Sequence, residues 1–208
     1  SLSVSIAVGA YGTAFGAAAV AAGFSVLQAC LLSLLTFTGA SQFAVVGVIG
    51  AGGSALTGIA TASLLGFRNA IYSMIAKPIL NVRGLKKLWA TQITIDESIA
   101  VATAEEVRGK DAMRHGFWLT GGGVFFFWNL FTLLGALGAQ AIGDPAEWGL
   151  DAAVPAAFLG LVWPRLKARR DYLLAISAAA LALTLTPLVA AGLPIIATAL
   201  LAVLFATY

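Results

Sequence analysis

A polytopic all-α bundle of membrane helices is the fold class this sequence predicts, and three observations predict it. Of 208 residues, 60% are hydrophobic and 10% charged, against about 25% charged in an ordinary soluble domain. Apolar runs approaching the roughly 20 residues of a bilayer-crossing helix follow one another through the chain. Most of the basic residues gather in the short segments between those runs, the pattern of a membrane topology signal. The formal net charge of +3 therefore indicates no nucleic acid and no soluble acidic partner, since no basic groove or aromatic ladder accompanies it.

The whole chain, 1–208, reads as one membrane domain. Residues 2–22 form a first helix in which Gly9, Gly12 and Gly16 allow close backbone approach to a neighbour. A turn at 23–25 leads into a second apolar run, 26–49, interrupted by Thr36, Thr38, Gly39, Ser41 and Gln42. After an uncharged turn at 50–54, a third helix over 55–76 carries Arg68 and Asn69 in its C-terminal half. Lys77, Arg83, Lys86 and Lys87 then mark a basic loop, which the positive-inside bias puts in the cytoplasm.

The next segment, 88–104, is short for a crossing and is followed by a loop with Arg108, Lys110 and Arg114. The Gly-rich run 116–141 ends at Asp144, Glu147 and Asp151, an acidic stretch that suits the outside. If that run crosses once, both basic loops lie inside, and 88–104 enters and leaves on one side as a re-entrant or half-membrane element. A short crossing, 152–163, returns to the basic cluster Arg165, Lys167, Arg169 and Arg170, read as cytoplasmic. Residues 172–190 and 193–208 close the chain as a helical hairpin around Gly192. The count is about seven spanning helices plus the re-entrant element, with eight spans as the alternative.

Cys30 stands alone, so there is neither a disulfide framework nor a thiolate cluster for a metal. The single His115 reads as an interfacial anchor. No phosphate-binding loop, zinc-protease motif or nucleophile triad is present, so an enzyme is not expected, nor a cofactor. No basic segment precedes 1–10, so no cleavable signal is read and the native N-terminus is expected upstream.

Chemistry is expected at two places. Gly39, Ala40, Ser41 and Gln42 fall inside an otherwise apolar run, where small residues can unwind a turn; a half-helix N-terminus at mid-membrane attracts a substrate carboxylate. Close packing through small residues with one satisfied Gln is the other reading of the same residues. Asp96 and Glu97 lie in an apolar stretch, where an ionised carboxylate costs at least about 2.5 kcal/mol and marks a partner, a cavity or a transported species. Arg68, roughly 13 Å along the helix from Lys77, is a counter-ion within reach. Adjacent residues on a helix diverge by about 100°, so two roles are expected. One carboxylate pairs with Arg68, and the other takes up a proton or meets a substrate ammonium.

The run LLSLLTFTGASQF from Leu31 to Phe43, together with Arg68 and Asn69, Asp96-Glu97-Ser98, and Gly149 to Asp151 with Pro155 and Phe158, resembles the AzlC family. That family is the large subunit of bacterial branched-chain amino acid exporters, the LIV-E transporters. This chain departs from it in carrying Arg68 directly before Asn69, where Asn-x-Arg is the commoner pattern, and in lacking the family's basic N-terminal stretch. The resemblance implies a multi-pass cytoplasmic (inner) membrane protein exporting valine, leucine, isoleucine and methionine, with a small AzlD-like membrane subunit. With no ATP motif, coupling to the proton gradient is expected. A channel or carrier for another solute, or a non-transporting structural subunit, are the alternatives.

Overall fold

The computed structural model describes residues 1–142, 147 and 153–207; Asp144 and the Gly149–Leu150–Asp151 triplet fall outside it, as does the side chain of Phe158. Every regular element among the described residues is helical. In chain order they are α1 (Leu2–Gly9), α2 (Tyr11–Ala21), α3 (Val26–Leu35), α4 (Ala40–Gly50), α5 (Ala55–Leu80), α6 (Leu85–Gln92), α7 (Asp96–Ala104), α8 (Lys110–Ile142), α9 (Ala153–Val162), α10 (Arg169–Leu185) and α11 (Leu193–Thr207). Two of them meet the length and hydropathy of a bilayer crossing: α1 and α2 taken together over Leu2–Ala21, and α8.

The spine is the pairing of α1–α2 with α8. Ser5 faces Gly123, Gly9 faces Phe127, and Gly16 faces Ala136, so the numbers rise together and the helices run parallel. A Cβ on Gly16 would overlap the Thr132 carbonyl oxygen, and one on Gly135 would overlap that of Thr13. Backbones this close are possible only where side chains are absent, as in small-residue membrane packing. Phe15, Phe43 and Trp128 fill the adjoining core, with Phe15 and Phe43 edge to face at 5.5 Å between centroids.

Residues 26–49 are not the single interrupted run that hydropathy suggests. Helix α3 starts from a reciprocal cap, in which Ser25 and Gln28 exchange backbone and side-chain hydrogen bonds. It descends beside α8, Ser33 meeting Thr132 and Phe37 meeting Phe125. The chain breaks at 36–39 and α4 climbs back, past Phe15 at Phe43, until a Cβ on Gly50 would lie 3.0 Å from that of Ala22. The segment therefore leaves and rejoins the same end of the spine. Hydropathy cannot distinguish one long helix from two antiparallel halves, because both surround every residue with apolar neighbours.

Helix α5 begins at the Ser54 cap beside α4 and ends at Asn81 in the left-handed region, φ 47°. There the Ile79 carbonyl accepts from Arg114 Nε at 2.8 Å, which puts the end of α5 beside the start of α8. Residues 85–104 form a second hairpin from that end. Helix α6 rises to Ile93, which touches the backbone at Gly121, and α7 descends again until Val101 touches Gly116. At the opposite end the α10–α11 turn at Gly192 rests on Val48 and Thr57. Helix α9 packs on α2 and α4.

Candidate functional site

The two hairpin tips meet in the middle of the molecule, and each tip is held open by a buried side chain at the third helical position. At the first, Gln42 Oε1 accepts from the Gly39 amide at 3.2 Å while Nε2 donates to the Leu32 carbonyl at 3.3 Å. At the second, Ser98 Oγ accepts from the Ile95 amide at 3.0 Å and lies 2.9 Å from the Ile93 and Ile95 carbonyls. Gln42 and Ser98 are both fully buried. Gly39 turns the first tip at φ +67°, a conformation open to glycine and costly for other residues. Gln92 ties the tips together by donating to the Leu34 carbonyl at 2.7 Å.

Between the tips lies a cavity of about 310 Å³, within the size range of small-molecule sites. Its apolar wall includes Val8, Phe37, Leu65, Val124 and Trp128; its polar wall has Thr38, Gly39, Arg68, Asp96, Glu97 and Arg165. The amides of Ala40 and Ser41, opening α4, have no acceptor inside the helix, and the positive end of the helix dipole points with them.

Arg68 joins the two tips. Its Nη1 donates to Asp96 Oδ2 at 3.1 Å and its Nη2 to the Thr38 carbonyl at 3.0 Å. Arg165 Nη2 reaches the same Asp96 oxygen, also at 3.1 Å, from the cavity mouth, with its side chain 65% exposed against 17% for Asp96. Two guanidinium groups thus hold one carboxylate. Glu97 lines the same cavity without an ion pair among the described residues. Thr38 Oγ1, Arg68 Nε and Trp128 Nε1, on residues of the wall, are buried without a hydrogen-bond partner, which leaves donors available to something other than the protein.

Of the residues singled out from sequence, Gly39, Ala40, Arg68, Asp96 and Glu97 line the cavity. Ser41, Gln42 and Asn69 do not. Gln42 is consumed by the break, Ser41 Oγ points to Gly66, and the Asn69 backbone carbonyl accepts from Ser73. Arg165, read only as one of a loop cluster, also reaches Asp96 at the cavity mouth. Its position right after an apolar run, in Trp163-Pro164-Arg165, was the available signal. Trp128, which the sequence did not single out as a site residue, packs against Phe15 and also forms cavity wall. Among the described residues no group of His, Cys, Asp and Glu could hold a metal.

Comparison with known proteins agrees with the resemblance carried by the first tip. The family model described as AzlC protein matches residues 3–142. The chain is 31% identical over 158 residues to Inner membrane protein YgaZ of Escherichia coli (strain K12), covering 72% of this chain and 63% of that protein. The chain thus spans less than two thirds of that relative's length. It is 35% identical over 193 residues to an uncharacterized membrane protein of Archaeoglobus fulgidus, covering 89% of this chain and 81% of that one. No solved structure matches it. The chain belongs to the AzlC family of membrane proteins.

Proposed function

We infer that the chain is the large subunit of a secondary transporter that exports branched-chain amino acids across the cytoplasmic membrane, together with a small AzlD-like subunit. The observation that carries this reading is the cavity between the two tips, which offers both signs of charge, free amides and an aliphatic wall in one small volume. An α-amino acid with an apolar side chain needs that combination. Its carboxylate sits against the Ala40 amide at the start of α4, its ammonium against Glu97, and its side chain against Val8, Leu65 and Val124. Arg68 and Arg165 neutralise Asp96, so Glu97 is the carboxylate left to meet the ammonium or to carry the coupling proton.

The topology follows the same logic. Val124, on the cavity wall, lies about 21 Å along α8 from Lys110, near the middle of a bilayer-spanning helix. The contact of Arg114 with Ile79 supports a common side for the basic loops 77–87 and 105–114, and hence the re-entrant reading of 88–104. The meeting of Gly50 with Ala22 supports a second re-entrant element at 26–50, entering from the other side, in place of one of the crossings counted from hydropathy. Two hairpins of opposite sense, each followed by a long helix, suit alternating access by rocking one unit against the other.

The test is efflux of labelled leucine and valine from preloaded proteoliposomes, with and without the small subunit and under an imposed pH gradient. Saturable, gradient-stimulated, partner-dependent efflux is expected. Glu97→Gln, which removes one charge-assisted contact, lowers it about ten- to hundredfold. Folded protein that moves no branched-chain amino acid under any of these conditions overturns the reading.

A further inference from the structure

A second concavity, sharing no lining residue with the central cavity, lies where α5 gives way to α6 and reaches up to Thr94. It holds about 590 Å³, and its wall carries Lys77, Arg83 and Lys87 with no carboxylate among its residues. None of the three cations has an ion pair among the described residues. The hydroxyls that share the wall are occupied: Ser73 donates to the Asn69 carbonyl, Thr91 to that of Lys87 and Thr94 to that of Ala90. The three cations are therefore the charged donors of the wall, and they line one hollow rather than spreading over a solvated loop.

The rest of the site is apolar and faces outward. Met74 lines the hollow and is 74% exposed; Ile75 beside it and Ile71, about one turn nearer the middle of α5, are exposed on the same side of the helix. On the other flank of the 81–86 turn, Lys86 and Arg114 border a neighbouring depression floored by Trp89 and Trp118. Basic groups above, exposed aliphatic side chains below and indole rings beside them match an amphiphile standing at a membrane interface. A free phosphate would have no use for the apolar slope.

We propose that Lys77, Arg83 and Lys87 bind the phosphodiester headgroup of an anionic phospholipid, whose acyl chains lie along Met74, Ile71 and Ile75. The site is independent of the transported substrate.

Native mass spectrometry of the full chain released from nanodiscs of equal phosphatidylglycerol and phosphatidylcholine reads the bound lipid directly. Phosphatidylglycerol is expected to be retained preferentially, and inorganic phosphate at millimolar concentration is expected not to displace it. Lys77→Gln/Arg83→Gln/Lys87→Gln should reduce the preference about fivefold for each charge removed. Lys77→Arg/Lys87→Arg should keep it, as should Lys167→Gln/Arg169→Gln in the basic cluster at 165–170. Displacement by inorganic phosphate, equal retention of the two lipids by the unaltered protein, or an equal loss in the Lys167/Arg169 variant would each overturn the proposal. The comparison of lipids on the unaltered protein does not depend on any variant folding.

Discussion

Arg68 and Asp96 stand 28 positions apart in the chain and 3.1 Å apart in space, Nη1 to Oδ2. The other arm of the same guanidinium holds the Thr38 carbonyl, so one side chain of α5 fastens the tip of the first hairpin to the tip of the second. Only a planar fork can serve both acceptors.

Arg68→Lys keeps the charge and should lose one of the two bonds, leaving either Asp96 or the Thr38 carbonyl short of a donor. A loss of about 1–3 kcal/mol in stability is expected, read as a lower unfolding temperature in detergent, together with loss of transport. The Arg68→Gln/Asp96→Asn pair should be less destabilised than the two single changes added together, as contacting residues are. Additive effects would mean that the contact carries no coupling.

Gln42 bridges the first break from inside the core. Gln42→Ala removes both of its bonds and leaves the Gly39 amide unpaired, at about 1–3 kcal/mol, while the Leu32 carbonyl keeps its bonds from the Thr36 amide and hydroxyl. Thermal unfolding should register that loss, and substrate affinity should fall with it because the α4 N-terminus is no longer fixed. An unfolding temperature equal to that of the unaltered protein would show that the break holds without its staple.

Two glycines of α8 separate packing from propensity. Gly135→Ala forces a methyl group into the Thr13 carbonyl and should cost about 1–3 kcal/mol. Gly138→Ala, three residues on with open space around it, should be neutral or stabilise by up to about 1 kcal/mol. Equal unfolding temperatures for the two variants would contradict the close parallel packing of α2 and α8.

Asp171, in the first turn of α10, accepts from the Ala168 amide at 2.8 Å and the Lys167 amide at 3.0 Å. Those bonds, the Ala168 one first, hold its carboxyl below the usual aspartate value. A lowered folded-state value stabilises at pH above the ordinary aspartate range and is lost as pH falls through the folded value. Hydrogen exchange at the Lys167 and Ala168 amides, corrected for its intrinsic acid dependence, should therefore stay slow at neutral pH and quicken only in acid. Asp171→Ala should quicken it at neutral pH. Protection unchanged in that variant would remove Asp171 as the cap.

Apolar runs, Gly39 within one of them and two carboxylates in another were enough to predict a helical membrane protein and to single out 39–42, Arg68, Asp96 and Glu97 as candidates, of which Gly39, Ala40, Arg68, Asp96 and Glu97 line one cavity. These features are legible because insertion energy depends on each residue's own polarity, whatever its partners. Direction and partnership are different quantities. Whether 26–49 crosses or returns depends on contacts of Gly50 with Ala22 and of Ser33 with Thr132, far apart in the chain. Whether Gln42 faces a ligand or the backbone depends on how the break folds back, which brings the Gly39 amide and the Leu32 carbonyl within its reach. Arg165 looks like any loop cation until the tertiary structure brings Asp96 within 3.1 Å of it. The sequence by itself determined which segments are apolar and where charge interrupts them; the tertiary structure alone decided which way each segment runs and which polar groups satisfy one another, because those are set by long-range packing.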